Sequence, residues 1–133
     1  MTKSCIARSF FAIALATLYS VAGAVTPAEQ LTGWVAQSGV PAQAAKGQQL
    51  FVTRHNKEWS CASCHTAVPT VDGKHASTGK TIAAMAPAFN AERFTDAAKS
   101  EKWFRRNCKD VLGRECSAAE KADVLAWLMS LKR

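Results

Sequence analysis

Cys61-Ala62-Ser63-Cys64-His65 places two thiols and an imidazole within five consecutive residues. The pattern C-x-x-C-H is the attachment signature of c-type haem. Each thiol adds to one haem vinyl group and becomes a thioether, and the two-residue spacer sets the sulfurs at the vinyl separation. His65, next in sequence, reaches the iron from one side. Two other chemistries use paired cysteines. A thioredoxin-type redox pair requires a βαβ context, which the residue pattern lacks. A zinc knuckle requires a second matched Cys/His pair, and Cys108 and Cys116 are not spaced as one. One covalent haem c is therefore the expected cofactor.

The elements that must position this pentapeptide read as helices, with no useful period-2 alternation and no internal repeat. Leu31, Trp34 and Val35 stand at i, i+3, i+4 in a short helix that stops near Ser38-Gly39. Pro41 opens a second helical segment, with Ala44, Gly47, Leu50 and Phe51 on one face and His55 near its end. Residues 66–92 are rich in Ala, Pro, Gly, Thr and Ser and read as a long loop, of the kind usually functional or wrapped on something. Thr95-Asp96 begins a third helix that runs through about Lys109, and Gly113 marks the turn after it. Ser117-Ala118-Ala119-Glu120 is a capping box. It opens a last helix whose stripe is Val124, Trp127, Leu128 and Leu131.

The first 24 residues have the layout of a secretory signal peptide. Lys3 and Arg8 form a positive n-region, Ser9 to Val21 is an apolar run, and Ala22-Gly23-Ala24 is a small-x-small cleavage site. The run is short of the ~20 residues of a spanning helix, and Cys5 does not end a lipoprotein pattern. The expected organisation is a cleaved signal peptide over 1–24 and one soluble, periplasmic domain over 25–133. The full chain has 133 residues, 48% hydrophobic and 20% charged, with 17 basic and 10 acidic side chains. Without the leader, 109 residues carry a net charge of +5 and four cysteines. Such a chain is neither disordered nor low in complexity. With so long a loop it buries little apolar surface by itself and needs staples or a cofactor to fold around. An oxidising compartment allows a disulfide to persist. The positive excess suits docking of an acidic protein and gives little support to nucleic acid binding, which export also disfavours.

Gly47-x-x-x-Phe51 ahead of C-x-x-C-H, with an aromatic residue on the C-terminal helix, resembles the class I cytochrome c fold. That resemblance covers about residues 41–133 and implies an all-α domain wrapped around one haem. It also implies that the N- and C-terminal helices cross closely at Gly47, with Phe51 and Trp127 filling the contact. The usual sixth ligand in that class is a Met shortly before the C-terminal helix, but Lys109 to Cys116 contains none. Met129 lies inside the last helix, off its apolar stripe, and reads as packing. Met85, in Met85-Ala86-Pro87-Ala88-Phe89, stays open as a ligand. His75 sits in a Lys/Gly/Ser-rich loop and reads as solvated; His55 reads as surface.

Phe94-Thr95-Asp96, Lys102-Trp103-Phe104-Arg105-Arg106-Asn107-Cys108 and Gly113-Arg114-Glu115-Cys116 resemble a more particular family, the sphaeroides haem protein. The resemblance implies Asn107 as the sixth iron ligand and a Cys108–Cys116 disulfide beside it. It implies that the Asn leaves the iron on reduction and opens a site for oxygen or nitric oxide. It implies a dihaem or other c-type cytochrome, or a membrane cytochrome b, as electron partner. At ~100° per residue, Trp103, Phe104 and Asn107 fall on one side of the third helix, expected to face inward. Lys99, Lys102, Arg106 and Lys109 fall on the other side and form a candidate docking face. A neutral amide oxygen suits harder ferric iron better than soft ferrous iron, whereas a thioether holds the reduced state. Asn107 thus implies ligand binding, and Met85 implies simple electron transfer. The reading from sequence is a ligand-binding and electron-transfer protein rather than a classical enzyme. A haem enzyme such as a nitric oxide dioxygenase stays open, though no catalytic acid–base pair is visible.

Overall fold

A computed structural model describes residues 24–133. The expected signal peptide lies outside the described residues, its last position Ala24 excepted. Helix α1 spans Pro27–Ser38, α2 Ala44–Val52, α3 Ala62–His65, α4 Ala97–Leu112 and α5 Ala118–Ser130. Two short strands, β1 Gly73–Lys74 and β2 Thr81–Ile82, pair antiparallel with Gly73 opposite Ile82.

The helix ends follow local chemistry. Thr26 caps α1 and Glu29 reaches back to the Thr26 amide at 2.7 Å, a capping box with Pro27 at the first position. Ser117 and Glu120 form the expected second box at α5. Asp96 caps α4 through the Lys99 amide at 2.9 Å. Such a cap stabilises a helix by ~1 kcal/mol. The second helix begins at Ala44 rather than Pro41, because Gln43, its N-cap, is still extended. The third long helix runs past Lys109 to Leu112, where Gly113 adopts φ 74°.

Helices α2 and α5 cross in close contact, and α1 packs on α5 beside them. A Cβ on Gly47 would stand 2.0 Å from the Asp123 carbonyl oxygen, so only glycine permits this approach. Phe51 and Trp127 fill the crossing as expected, with ring centroids 5.0 Å apart. Around them Trp34, Phe94, Ala122, Val124, Leu125 and Leu128 make the core. Leu125 and Leu128 are fully buried, each contributing about 1.5–3 kcal/mol by burial.

Residues 66–92 form the expected long loop, but it is fastened rather than loose. The β1–β2 ribbon lies within it, the Ala84 amide donates to Asp72 Oδ1 at 3.1 Å, and the Met85 and Ala86 amides both donate to the Pro69 carbonyl at 3.0 Å. Arg93 donates to the Ala83 and Ala84 carbonyls. These bonds fold the loop back on itself, and β1 brings it against the turn that carries Cys61 and Cys64.

Candidate haem-binding site

Cys61, Cys64 and His65 sit on a single tight turn. Ser63 Oγ accepts from the Ser60 amide at 3.0 Å, and the Cys64 and His65 amides both donate to the Cys61 carbonyl. Thr66 ends α3 at φ 68°, a backbone region that costs a β-branched residue of order 1–3 kcal/mol. Strand β1 abuts the turn: a Cβ on Gly73 would stand 2.0 Å from the Cys64 carbonyl oxygen. Cys64 Sγ accepts from the Ala76 amide at 3.3 Å.

The donor set fits covalent haem. Both thiols are free of any disulfide. Burial pushes the Cys61 thiol up to about 11, the reverse of the depressed value that marks a redox-active thiolate. The His65 imidazole is pushed down to about 4, first by burial and then by the charges of Arg93 and His75. It is therefore neutral, the form that ligates metals. Its Nδ1 is buried with no hydrogen-bond partner, and its ring lies 6.1 Å from Phe51, the aromatic of the helix crossing. Among the described residues, no group of three or more His, Cys, Asp or Glu side chains is placed to hold a bare metal ion.

The other sequence candidates fall on α4 and the loop. Cys108 and Cys116 are joined by a disulfide, with Cα atoms 5.6 Å apart. The buried residues of α4 are Ser100, Cys108 and Val111, with half-buried Phe104 in the same stripe. Asn107 flanks that stripe and is half-buried. Trp103 corrects the expectation of an inward side chain: it is 45% exposed, with the Arg106 guanidinium 5.2 Å over its ring. The helix is rotated so that Phe104, edge-on to Trp34 at 5.2 Å, takes the inward position. Lys99, Lys102, Arg106 and Lys109 are exposed as expected, and Lys109 pairs with Glu115 at 3.3 Å. Met85 is half-buried against the core cluster, as are Cys61 and Phe104. His75 is exposed, its Nδ1 accepting from Ser77 and Thr78, and half-buried His55 is tied to the Leu50 carbonyl.

An all-α domain whose helices cross at a glycine, with a free C-x-x-C-H turn against the crossing aromatics, is a class I cytochrome c. The comparisons narrow this class. Residues 37–128 match a family described as Domain of unknown function (DUF1924). The chain is 44% identical over 113 residues to cytochrome c-type protein SHP of Cereibacter sphaeroides, covering 82% of this chain and 87% of that protein. The solved structure of oxidised SHP, an oxygen-binding cytochrome c, superposes with a TM-score of 0.77 over 82% of this chain and all of that one. Oxidised cytochrome c'' of Methylophilus methylotrophus gives a TM-score of 0.69 at 35% identity, covering 80% of this chain and 95% of that one. The chain belongs to the sphaeroides haem protein family, and haem c is its cofactor.

The sequence reading missed several residues that shape the site. Gly73 and Arg93 stand in the loop, and nothing in its composition singles them out. Glu101 and Lys121, paired at 2.8 Å, are twenty positions apart and carry no local signature. Lys121 does leave one trace, as a cation inside the apolar half of an amphipathic helix.

Proposed function

We propose that this chain is an exported, periplasmic cytochrome that exchanges electrons with another c-type cytochrome and binds small diatomic ligands when reduced. Haem, when bound, supplies the one-electron couple and a metal open to such ligands. Cys61 and Cys64 would hold it as thioethers. His65 would offer its neutral imidazole to the iron, and its dry surroundings keep it unprotonated at ordinary pH. Asn107 would offer its amide to the oxidised iron and release it on reduction, because a hard oxygen donor matches ferric iron better than ferrous. The Cys108–Cys116 bridge adjoins Asn107 and steadies the end of α4. Lys99, Lys102 and Arg106 turn a cationic face to an acidic partner such as a dihaem cytochrome.

The observation that carries this reading is the carboxamide of Asn107 at the flank of α4, beside the bridge, in a chain 44% identical to an oxygen-binding cytochrome c. The test is rapid mixing of the ferrous protein with carbon monoxide or nitric oxide. Prompt binding supports a vacated position; slow binding limited by ligand loss would contradict it. A second reading, Met85 as sixth ligand in a simple electron carrier, is favoured by the packing of half-buried Met85 against the same core cluster that Cys61 packs against. A six-coordinate, low-spin ferrous spectrum with a sulfur–iron band would select it.

A further inference from the structure

Helix α4 approaches α1, α2 and α5 less closely than α5 approaches α1 and α2. Side-chain contacts link it to α1 and α5. At its start, Gln30 donates to the Phe94 carbonyl at 2.7 Å and the Val25 amide donates to the Thr95 carbonyl at 3.1 Å. Near its end stands the Cys108–Cys116 bridge. Between them is Glu101, where three helices meet. Its Oε1 accepts from Trp34 Nε1 of α1 at 2.6 Å, and both its oxygens accept from Lys121 Nζ of α5 at 2.8 Å. The Lys121 side chain is only 10% exposed, and its ammonium lies 5.4 Å over the Trp34 ring. Trp34 touches α4 a second time through Phe104, three residues before Asn107.

We propose that Glu101, Lys121 and Trp34 form a positioning cluster for the distal ligand, fixing the rotation and height of α4 and hence how firmly Asn107 holds its coordination position in the oxidised protein. This rests on the reading of Asn107 as that ligand. Asn107 lies ~9 Å along the helix axis from Glu101 at 1.5 Å per residue. A slip of the helix at one position is carried rigidly to the other. A productive ligand geometry tolerates displacement of only about 0.5 Å, so a loosened anchor weakens the bond without removing the ligand. Removing the carboxylate would leave the largely buried Lys121 ammonium without this ion partner, although the Glu101 side chain is itself 48% exposed. None of the three residues touches the haem in this scheme. They act through Asn107.

Imidazole titration of the ferric holoprotein tests the cluster, because imidazole must displace Asn107 to bind. The variants are Glu101→Gln, the double variant Glu101→Gln/Lys121→Met, which leaves no charge stranded, and Trp34→Phe, which removes the indole donor together with part of a buried ring system. Asn107→Ala is the reference. The double variant and Trp34→Phe are expected to bind ferric imidazole about five-fold more tightly than the parent, equivalent to ~1 kcal/mol. Their ferric bands should shift toward those of Asn107→Ala. Ferrous carbon monoxide affinity, measured where Asn107 is already displaced, should stay within about two-fold. Should Glu101→Gln fail to fold, the other two variants decide. Parent-like ferric affinity and bands in both, with Asn107→Ala altered, would overturn the cluster and leave the ligand reading standing. Equal changes in the ferric and ferrous forms would also overturn it, since they indicate a generally loosened pocket. A parent-like Asn107→Ala would overturn the ligand reading and the cluster with it.

Discussion

Gly47 and Asp123 meet backbone to backbone, so that a Cβ on Gly47 would fall 2.0 Å from the Asp123 carbonyl oxygen. The contact is reinforced by Asp123 Oδ1, which accepts from the Gln43 amide at 2.6 Å at the start of α2. Backbone atoms of α5, not a flexible side chain, face the glycine, and they yield only if the helices separate. Separation would also open the Phe51–Trp127 contact that backs His65. Gly47→Ala should therefore cost about 3 kcal/mol or more of stability, measured by denaturant unfolding of the holoprotein. A variant unfolding at the parent's midpoint would show that the crossing does not need the glycine.

The Cys108–Cys116 bridge closes a nine-residue segment around Gly113. By the chain-entropy relation it contributes ~2.5 kcal/mol. Cys108→Ser/Cys116→Ser should lose about that much in a urea titration, and the reductant-treated parent should match it. An unchanged midpoint would indicate a bridge compensated by strain.

Acid stability should depend on Glu120. Its carboxyl is held below its ordinary 4.5 chiefly by the Arg114 hydrogen bonds, against the opposing effect of burial. A folded value below the unfolded one means stability that is present above about pH 4.5 and lost as pH falls through the lowered value. Denaturant midpoints of the parent and Glu120→Gln should differ most above that pH and converge below it. A gap that widens on acidification would reverse the assigned sign.

Lys102→Glu/Arg106→Glu should slow electron transfer from an acidic c-type cytochrome about ten-fold at low salt. The effect should fade as salt rises and the Debye length shrinks to ~3 Å near 1 M. A rate insensitive to both the reversal and salt would move the docking face off α4. Stopped-flow reduction at several ionic strengths supplies the comparison.

What the sequence made legible was what local chemistry writes into adjacent residues. Cys61 to His65 state their cofactor in five letters, Ser117 and Glu120 state a helix start, and Gly113 states a helix end. Gly47 and Phe51 were readable because the crossing they serve recurs with the haem motif. The Thr26–Glu29 box is as local as the one at Ser117 and equally open to inspection, yet the sequence reading passed over it. The misjudged parts depend on distant partners. Trp103 was expected inside because it shares a helix side with Phe104, but the docking of Phe104 on Trp34 leaves Trp103 at the exposed edge of that side. Strands of two residues leave no period to detect, so the β1–β2 ribbon was invisible. The Glu101–Lys121 pair unites two helices that nothing in their spacing connects.

The most direct test is absorption and magnetic circular dichroism of the ferric and ferrous holoprotein beside Asn107→Ala and Met85→Ala. Asn107→Ala should alter the ferric bands and leave the ferrous bands in place, while Met85→Ala should leave both as in the parent. Ferric bands untouched by Asn107→Ala, with Met85→Ala changing the ferrous spectrum, would contradict the assignment of a carboxamide that caps the iron only when oxidised.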